Sequence, residues 1–172
     1  IIIINDGSTD NTSYALSLFS DPFSKFIKVI NNKRNRGLPY SLNKGIRNSS
    51  SKYIVRVDSD DYVNSEFLNI LQIFLELNEE FNAICCDYFT VDDMENIISR
   101  HSAKDDPIAC GIMLKREIFS DIGLYDERFL CNEDKEFRKR LDKKYMVENI
   151  NLPLYRYRRH KNNMTNDIKK MS

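Results

Sequence analysis

At 172 residues, with 41% hydrophobic and 30% charged residues, the chain is long enough for one soluble domain with a sizeable core. Lys plus Arg and Asp plus Glu both number 26, which argues against a nucleic-acid-binding protein, although residues 155–161 are locally basic. No segment approaches the ~20 apolar residues of a membrane-spanning helix, and the four cysteines lack metal-ligand spacing. We therefore expect a cytoplasmic protein with reduced cysteines.

Predicted strands and helices alternate along the first half of the chain. We predict strands at residues 1–4, 28–31 and 53–57, helices at 11–19, 38–48 and 65–77, a hairpin of strands at 83–91 and 97–100, helices at 117–122 and 133–143, and late strands at 145–150 and 154–157. The expected N-caps are Ser8, Thr9 or Asp10 for the first helix and Asn64 or Ser65 for the third. This order predicts an α/β fold with an open, mainly parallel sheet flanked by helices, and the hairpin adds mixed pairing.

Three acidic clusters lie where predicted strands end or helices begin. They are Asp6 in NDGSTDNT, residues 58–61 in VDSDDYV, and the Glu133-Asp134 pair in NEDKEF. A sugar nucleotide carries a diphosphate whose charge a divalent cation must neutralise, and an acceptor hydroxyl needs a carboxylate to take its proton. Because ligands of such sheets bind beyond the carboxyl ends of the strands, the clusters together predict a metal-assisted sugar-transfer site.

The Asp58-Ser59-Asp60 run carries the most specific of these signals. Two carboxylates at positions i and i+2 after a strand can turn toward one cation, and they are hard ligands suited to Mg²⁺ or Mn²⁺. A solvated acidic turn is the alternative here, and a capped turn at residues 6–12 and a simple helix start at Glu133 are the alternatives for the other clusters. An EF-hand beginning at Asp58 is disfavoured, because Val63 and Asn69 occupy the positions of its glycine and glutamate.

Five motifs, in this order, resemble those of the bacterial family 2 glycosyltransferases: NDGSTDNT, GLPYSLNKGI, YIVRVDSDDYV, ACGIMLKREIFSDIGLYDERF and NEDKEFRKRL. The resemblance covers nearly the whole chain and implies the GT-A fold, which is Rossmann-like. It also implies inverting transfer of a sugar from a nucleotide donor, usually a uridine diphosphate (UDP) sugar, to a hydroxyl of a growing glycan in cell-surface polysaccharide synthesis. The implied partners are a nucleotide-sugar donor and a glycan or lipid-linked glycan acceptor.

The resemblance also implies roles for the acidic residues. Asp6 matches the aspartate that contacts the nucleotide base. Asp58 and Asp60 match the metal-binding DXD pair, in which Asp60 ligates the Mn²⁺ or Mg²⁺ ion and Asp58 faces the ribose or the donor sugar. Asp134 matches the catalytic base, and Glu133 would orient Asp134 or the acceptor.

Three further features follow from the resemblance. Cys110 and Gly111 fall where the acceptor loop of the family passes under the sugar. His160 matches a late histidine near the diphosphate or the metal, and an exposed histidine is its alternative. Positive charge beside the departing nucleotide would come from Arg158 or Arg159.

A basic tail is predicted at residues 153–172. A basic group in it would meet anionic lipid heads at the inner face of the membrane if the acceptor is lipid-linked. This group consists of Arg156, Arg158, Arg159 and Lys161.

The sequence departs from the family pattern in two places. Leu42 stands where many relatives carry an arginine, just before the asparagine that matches Asn43, so a base or phosphate contact is missing there. Family members also have an earlier strand and helix, a unit of about thirty residues. We therefore expect residues 1–172 to form one GT-A domain that begins after this unit, at an interior, buried strand of residues 1–4.

Two other functions stay open. A sugar-1-phosphate nucleotidyltransferase shares the sheet architecture and the metal requirement, but it should carry a glycine-rich phosphate loop with a lysine, and the sequence shows none. A non-catalytic module that binds nucleotides or glycans would keep the fold without turnover. Release of the nucleotide from a sugar donor separates the transferase from both.

Overall fold

A computed structural model describes residues 1–129 and 131–160 of the chain. The strands are β1 Ile2–Asn5, β2 Lys28–Asn31, β3 Tyr53–Val55, β4 Tyr62–Val63, β5 Ala83–Val91, β6 Ile97–His101, β7 Met113–Lys115 and β8 Val147–Arg158. The helices are α1 Thr12–Ser20, α2 Leu38–Arg47, α3 Phe67–Leu77, α4 Ile118–Asp121 and α5 Glu133–Leu141. Of these helices, none has the length and apolar character needed to cross a bilayer. Of the predicted basic tail at residues 153–172, residues 153–158 belong to β8, and residues 161–172 lie outside the described residues.

The chain divides into two compact units. The first consists of Ile1–Ile54 and Arg116–Lys144. The second consists of Val55–Lys115 and, among the described residues, of 145–160. Each unit is therefore built from two stretches that are distant in sequence.

In the first unit, β1 and β2 form a parallel pair with Ile2 opposite Lys28 and Asn5 opposite Asn31. Helix α2 packs on β1 at Gly45, where an added Cβ would lie 3.7 Å from Cγ1 of Ile4. Strand β1 is only half-buried, so the prediction of a buried first strand is wrong within this unit. Its isoleucines have one strand partner among the described residues, and they are not enclosed on both faces.

Aromatic stacking and polar contacts hold α5 in the same unit. The ring of Phe137 stacks on Tyr125 and Phe119, with centroids 4.5 and 5.5 Å away. The fully buried Asn43 of α2 donates to the carbonyl oxygen of Tyr125 at 2.8 Å and accepts from its backbone N–H at 2.9 Å. Arg140 of α5 donates to the carbonyl oxygen of Leu124 at 2.8 Å. These contacts fix the segment before α5 and hence the start of that helix.

The second unit contains a mixed sheet in the order β7-β5-β8-β4, with β6 also paired to β5. Strands β5 and β8 are parallel, whereas β5–β6, β5–β7 and β4–β8 are antiparallel. Strand β5 is almost continuously buried, because β8 covers one edge while β6 and β7 share the other. Helix α3 buries an apolar stripe formed by Phe67, Leu71 and Leu75. The predicted hairpin and mixed pairing are both confirmed.

Strand β8 corrects the prediction of two late strands. It runs without a break from Val147 to Arg158, although Pro153 cannot donate to a ladder. The register slips on both sides of Asp87, which faces Pro153, while Cys86 faces Ile150 and Tyr88 faces Tyr155. Three residues of β8 therefore bulge out of the pairing. This bulge lets one strand continue past the proline.

Several element boundaries also differ from the prediction. The N-cap positions of α1 and α3 are Asn11 and Glu66, and neither makes a side-chain capping bond. Asp10 instead accepts from the backbone N–H of Thr12 at 3.0 Å, and Asn64 accepts from that of Glu66 at 2.9 Å. The predicted residues therefore act as turn formers just before each helix. The short strands β4 and β7 were not predicted, since two or three residues show no measurable periodicity.

Candidate functional site

The acidic motif of residues 58–61 lies in the loop between β3 and β4, directly after a strand. Tyr155 of β8 organises this loop from a fully buried position. Its hydroxyl donates to Oδ2 of Asp61 at 2.8 Å and accepts from the backbone N–H of Asp58 at 3.3 Å. A residue about a hundred positions later in the chain thus fixes both ends of the motif.

Asp61 is held by two hydrogen bonds from β8. Its Oδ1 accepts from the backbone N–H of Arg158 at 2.8 Å, in addition to the bond from Tyr155. Burial raises the pKa of Asp61 to about 6, although the hydrogen bonds from Arg158 and Tyr155 oppose the rise. Burial also raises the pKa of the Tyr155 hydroxyl, so this group stays a donor at neutral pH.

Asp60 lies next to His160 in the second unit. Nε2 of His160 and Oδ2 of Asp60 are 2.9 Å apart, and both side chains remain partly exposed. The structure therefore brings together two of the residues for which the resemblance implies metal binding. Asp60 is separated from His160 by 100 residues of sequence.

The spacing of this pair fits a divalent cation. Mg²⁺ binds oxygen ligands at about 2.0–2.1 Å in octahedral geometry, so neighbouring ligand atoms lie about 3 Å apart. The observed separation of 2.9 Å between Asp60 and His160 agrees with this value. One carboxylate and one neutral imidazole are also a usual donor set for Mn²⁺. Asp60 and His160 therefore lie close enough together to ligate one ion.

Asp58 makes a different set of contacts. Arg56 binds it with two parallel hydrogen bonds, Nε to Oδ1 at 2.6 Å and Nη2 to Oδ2 at 2.9 Å. Asp58, Asp61 and Cys110 also form a looser group whose ligand atoms lie within 4.8 Å of one another. Burial and the neighbouring Asp58 hold the pKa of the Cys110 thiol well above its usual range. A protonated thiol and an arginine-bound carboxylate make this group a poorer metal site than the pair of Asp60 and His160.

The loop at Cys110 and Gly111 passes close to Tyr155. Gly111 has a φ of +74°, and an added Cβ would lie 3.2 Å from Cδ2 of the Tyr155 ring. Its backbone N–H donates to the carbonyl oxygen of Arg56 at 3.2 Å. A glycine is needed here for both the backbone conformation and the close approach. The predicted acceptor-loop residues therefore contact the ring that holds the acidic motif.

The arginines of β8 and the residue after it make contacts within the second unit. Arg158 donates from Nε to the carbonyl oxygen of Asp60 at 2.9 Å and from Nη2 to Glu95 at 3.2 Å. The guanidinium of Arg156 lies 4.6 Å from the ring centre of Phe89, and that of Arg159 lies 5.2 Å from the ring centre of Tyr157. The Arg158 side chain thus helps to position Asp60 by binding the backbone carbonyl oxygen of Asp60.

Asp6 lies at the carboxyl end of β1 in the first unit, as predicted. Its Oδ1 accepts from the Asn32 side chain at 2.7 Å and from the backbone N–H of Arg36 at 2.9 Å, and Oδ2 accepts from the N–H of Gly37 at 2.8 Å. The next residue, Gly7, has a φ of +72°, and an added Cβ would come within 2.4 Å of the backbone of Arg34. Asp6 therefore fixes the loop between β2 and α2.

Glu133 and Asp134 begin α5, also in the first unit. Glu133 is buried, with 5% of its surface exposed, and Asp134 is partly exposed. Among the residues that the structure describes, no hydrogen bond or salt bridge engages the Asp134 carboxylate. Its position in the first turn suits a negative charge, and its free carboxylate can accept a proton.

Sequence reasoning missed Tyr155 and Arg56, and it gave Asp61 no role of its own. Tyr155 falls in a predicted strand, and only its contacts with residues 94 and 97 positions away distinguish it from other strand tyrosines. Arg56 alone carried a local signal, since it precedes Asp58 by two residues at the end of a strand and therefore lies on the same face.

The chain is similar in sequence to known glycosyltransferases. The family model for glycosyl transferase family 2 matches residues 1–146. An uncharacterized glycosyltransferase of Haemophilus influenzae is 42% identical over 84 residues, which cover 49% of this chain and 26% of that protein. The glycosyltransferase GlyA of Streptococcus pneumoniae is 22% identical over 137 residues, which cover 80% of this chain and 18% of that protein. The chain thus spans about a quarter or less of the length of these relatives.

Solved structures share the fold at low sequence identity. The structure of S. aureus TarS 1-349 superposes on this chain with a TM-score of 0.76 at 16% sequence identity. The match covers 91% of this chain and 50% of the TarS chain. The mannosyltransferase PcManGT of Pyrobaculum calidifontis, solved with GDP-Man and Mn²⁺, superposes with a TM-score of 0.72 at 15% sequence identity. That match covers 94% of this chain and 48% of the PcManGT chain. These neighbours confirm the predicted GT-A fold. The family model matches most of the chain, and this match shows that the chain belongs to glycosyl transferase family 2.

Proposed function

We propose that the chain carries out inverting, metal-dependent transfer of a sugar from a nucleotide-diphosphate donor, a UDP-sugar, to a hydroxyl of a glycan acceptor in cell-surface polysaccharide synthesis. The observation that carries the proposal is the 2.9 Å contact between Asp60 and His160, which places two of the expected metal ligands side by side in a member of glycosyl transferase family 2. Structures of the neighbours support the donor class, since TarS was solved with UDP and PcManGT with GDP-Man and Mn²⁺.

Asp60 and His160 would hold Mn²⁺ or Mg²⁺, and the bound ion would offset the charge of the departing nucleotide diphosphate. Arg158 keeps Asp60 in place through its carbonyl oxygen. Asp58, kept in orientation by Arg56, would accept a hydrogen bond from the ribose or the sugar. The carboxylate of Asp6 accepts three hydrogen bonds and has capacity for one more, which would come from the nucleotide base.

Asp134 would act as the general base. It takes the proton of the acceptor hydroxyl while that oxygen forms a bond to C1 of the sugar, and the bond from C1 to the diphosphate oxygen breaks on the opposite face. The electron pair of the broken bond leaves with the nucleotide, so one displacement inverts the configuration at C1. Glu133 would orient Asp134, and Cys110 and Gly111 would border the acceptor.

A nucleotide-release assay tests this function. The purified chain is incubated with candidate UDP-sugars and glycan acceptors, with Mn²⁺ or with a chelator, and free UDP is measured. Metal-dependent release that requires an acceptor supports the transferase. Release of pyrophosphate would indicate the nucleotidyltransferase, and donor binding without release would indicate the binding module.

The metal ligands are tested by a matched pair of neighbouring carboxylates. We expect Asp60→Asn to weaken Mn²⁺-dependent donor binding more than Asp61→Asn, because Asp60 contacts His160 whereas Asp61 is engaged by Tyr155 and Arg158. Calorimetry at increasing Mn²⁺ concentrations measures the donor affinity of both variants. Equal losses would show that a different set of carboxylates ligates the ion.

A further inference from the structure

An open cleft in the first unit has a volume of about 470 Å³ and is lined by several cations. The charged residues of its lining are Lys33, Arg34, Arg36 and Lys44. No carboxylate lines it, and among the described residues none of the four cations forms a salt bridge. Asp6 accepts a hydrogen bond from the backbone N–H of Arg36, and its single negative charge leaves a local excess of positive charge. The chain as a whole carries no net charge, so this local excess is a specific feature.

Two of the cations are held in fixed positions. The guanidinium of Arg36 lies 4.4 Å from the ring centre of Tyr40, a cation–π contact that restrains the side chain and leaves its N–H groups available to an oxyanion. Nζ of Lys44 donates to Oδ1 of the buried Asn32 at 2.5 Å. Asn32 is itself bound to Asp6 at 2.7 Å. Side chains held in this way lose less conformational freedom when a ligand binds.

The wall that carries Arg34 is equally constrained. Its backbone packs against Gly7, where an added Cβ would lie within 2.4 Å. The loop cannot move outward freely, because Asp6 also binds the backbone N–H groups of Arg36 and Gly37. The backbone that carries these cations is therefore held in place, although their like charges repel one another. A bound anion would relieve this repulsion.

The cleft lies on a different face of α2 from Leu42. Leu42 occupies the position at which many relatives carry an arginine, and the resemblance implies that this arginine contacts the nucleotide donor. Tyr40 and Lys44, which line the cleft, are two residues before and after Leu42, and two helical residues correspond to about 200° of rotation. Both cleft residues thus lie on the side of α2 opposite to Leu42.

We propose that this cleft binds a phosphate group of a ligand, with Arg36 and Lys44 as its fixed donors and Lys33 and Arg34 as additional cations. Phosphate fits because the arginine fork binds two of its oxygens at once and lysine adds a compact positive charge. Binding here needs neither a metal ion nor Asp134. The proposal is independent of the proposed transfer activity.

Calorimetry with inorganic pyrophosphate in the presence of a chelator tests the proposal. We expect saturable binding that becomes weaker at high salt, because the cations are largely exposed and their field is screened. Arg36→Gln and Lys33→Gln should each weaken binding about tenfold, as expected when a charged hydrogen-bond donor is lost. Lys139→Gln on α5 removes the same charge from an exposed site outside the cleft and should have no effect.

Loss of binding in the Lys139 control equal to that in the cleft variants would overturn the proposal, as would the absence of any pyrophosphate binding. Loss of metal-free binding in Asp60→Asn would also overturn it, because binding would then depend on the acidic motif. A comparison of how much protein sediments with phosphatidylglycerol vesicles and with phosphatidylcholine vesicles identifies the source of the phosphate. Sedimentation that requires Arg36 indicates a lipid phosphate, and pyrophosphate binding without sedimentation indicates a soluble one; both support the site.

Discussion

Replacing Tyr155 by phenylalanine should destabilise the protein in a pH-dependent manner. The change removes only the hydroxyl, which donates to Oδ2 of Asp61 at 2.8 Å and accepts from the N–H of Asp58 at 3.3 Å. The ring keeps its edge-on contact with Phe67, whose centroid is 6.1 Å away, so packing is preserved. Any loss of stability is therefore due to the contacts of the hydroxyl, chiefly these two hydrogen bonds.

The magnitude follows from the charge of Asp61. At pH 8 this carboxyl is ionised, since its pKa is about 6, and a hydrogen bond to a charged acceptor contributes about 1.5–3 kcal/mol. The longer bond from Asp58 adds about 0.5 kcal/mol. We expect the free energy of unfolding to fall by about 2–3 kcal/mol at pH 8. At pH 5 Asp61 is protonated in the folded protein, and the loss should shrink to about 1 kcal/mol.

Urea denaturation followed by far-ultraviolet circular dichroism at both pH values measures this difference. The chain contains no tryptophan, so intrinsic tryptophan fluorescence cannot report unfolding. Tyr14→Phe is the matched control, because that side chain is 67% exposed. A loss that is the same at pH 5 and pH 8, or one below about 0.5 kcal/mol at pH 8, would refute the role of the hydroxyl as a donor to ionised Asp61.

Three further predictions follow from individual residues. Asp134→Asn should lower turnover by the ~10²–10⁴-fold typical of a lost general base while donor affinity stays nearly constant, as measured by nucleotide release and calorimetry. Gly7→Ala should destabilise the protein by several kcal/mol, because the added Cβ would come within 2.4 Å of the Arg34 backbone. Gly45→Ala in α2 should instead stabilise it by about 0.5–1 kcal/mol, and urea denaturation measures both variants. The raised pKa of Asp61 means that the folded state binds its proton more tightly than the unfolded state. Stability should therefore decline as the pH rises from about 4 to about 6, and Asp61→Asn should lack this decline.

Each of these predictions has a clear contrary result. Unchanged turnover in Asp134→Asn would remove this residue from the reaction, and Asp105→Asn, at an exposed site, controls for the lost charge. If Gly7→Ala and Gly45→Ala had similar stabilities, the close backbone approach at Gly7 would be disproved. If Asp61→Asn kept the full pH slope of the unmodified chain between pH 4 and 6, the slope would arise from another group.

Local sequence patterns determined much of the secondary structure and the positions of the acidic motifs. Asp6 follows β1, the Asp58 motif follows β3, and Glu133 begins α5, as their flanking residues predict. Alternating apolar residues and turn residues also determined the β5–β6 hairpin. These features depend on interactions within a few residues, which leave a periodic signal in the sequence.

The tertiary structure alone decided which of these residues meet. The contact of His160 with Asp60 and the bonds of Tyr155 to the acidic loop join residues that are 94 to 100 positions apart. The bulge at Pro153 depends on pairing with β5, which no local pattern of β8 encodes. Likewise, Cys110 shows no metal-ligand spacing in the sequence, yet it lies beside Asp58 in the fold. Such contacts arise from strand order and register, and a single sequence carries no periodic signal for either.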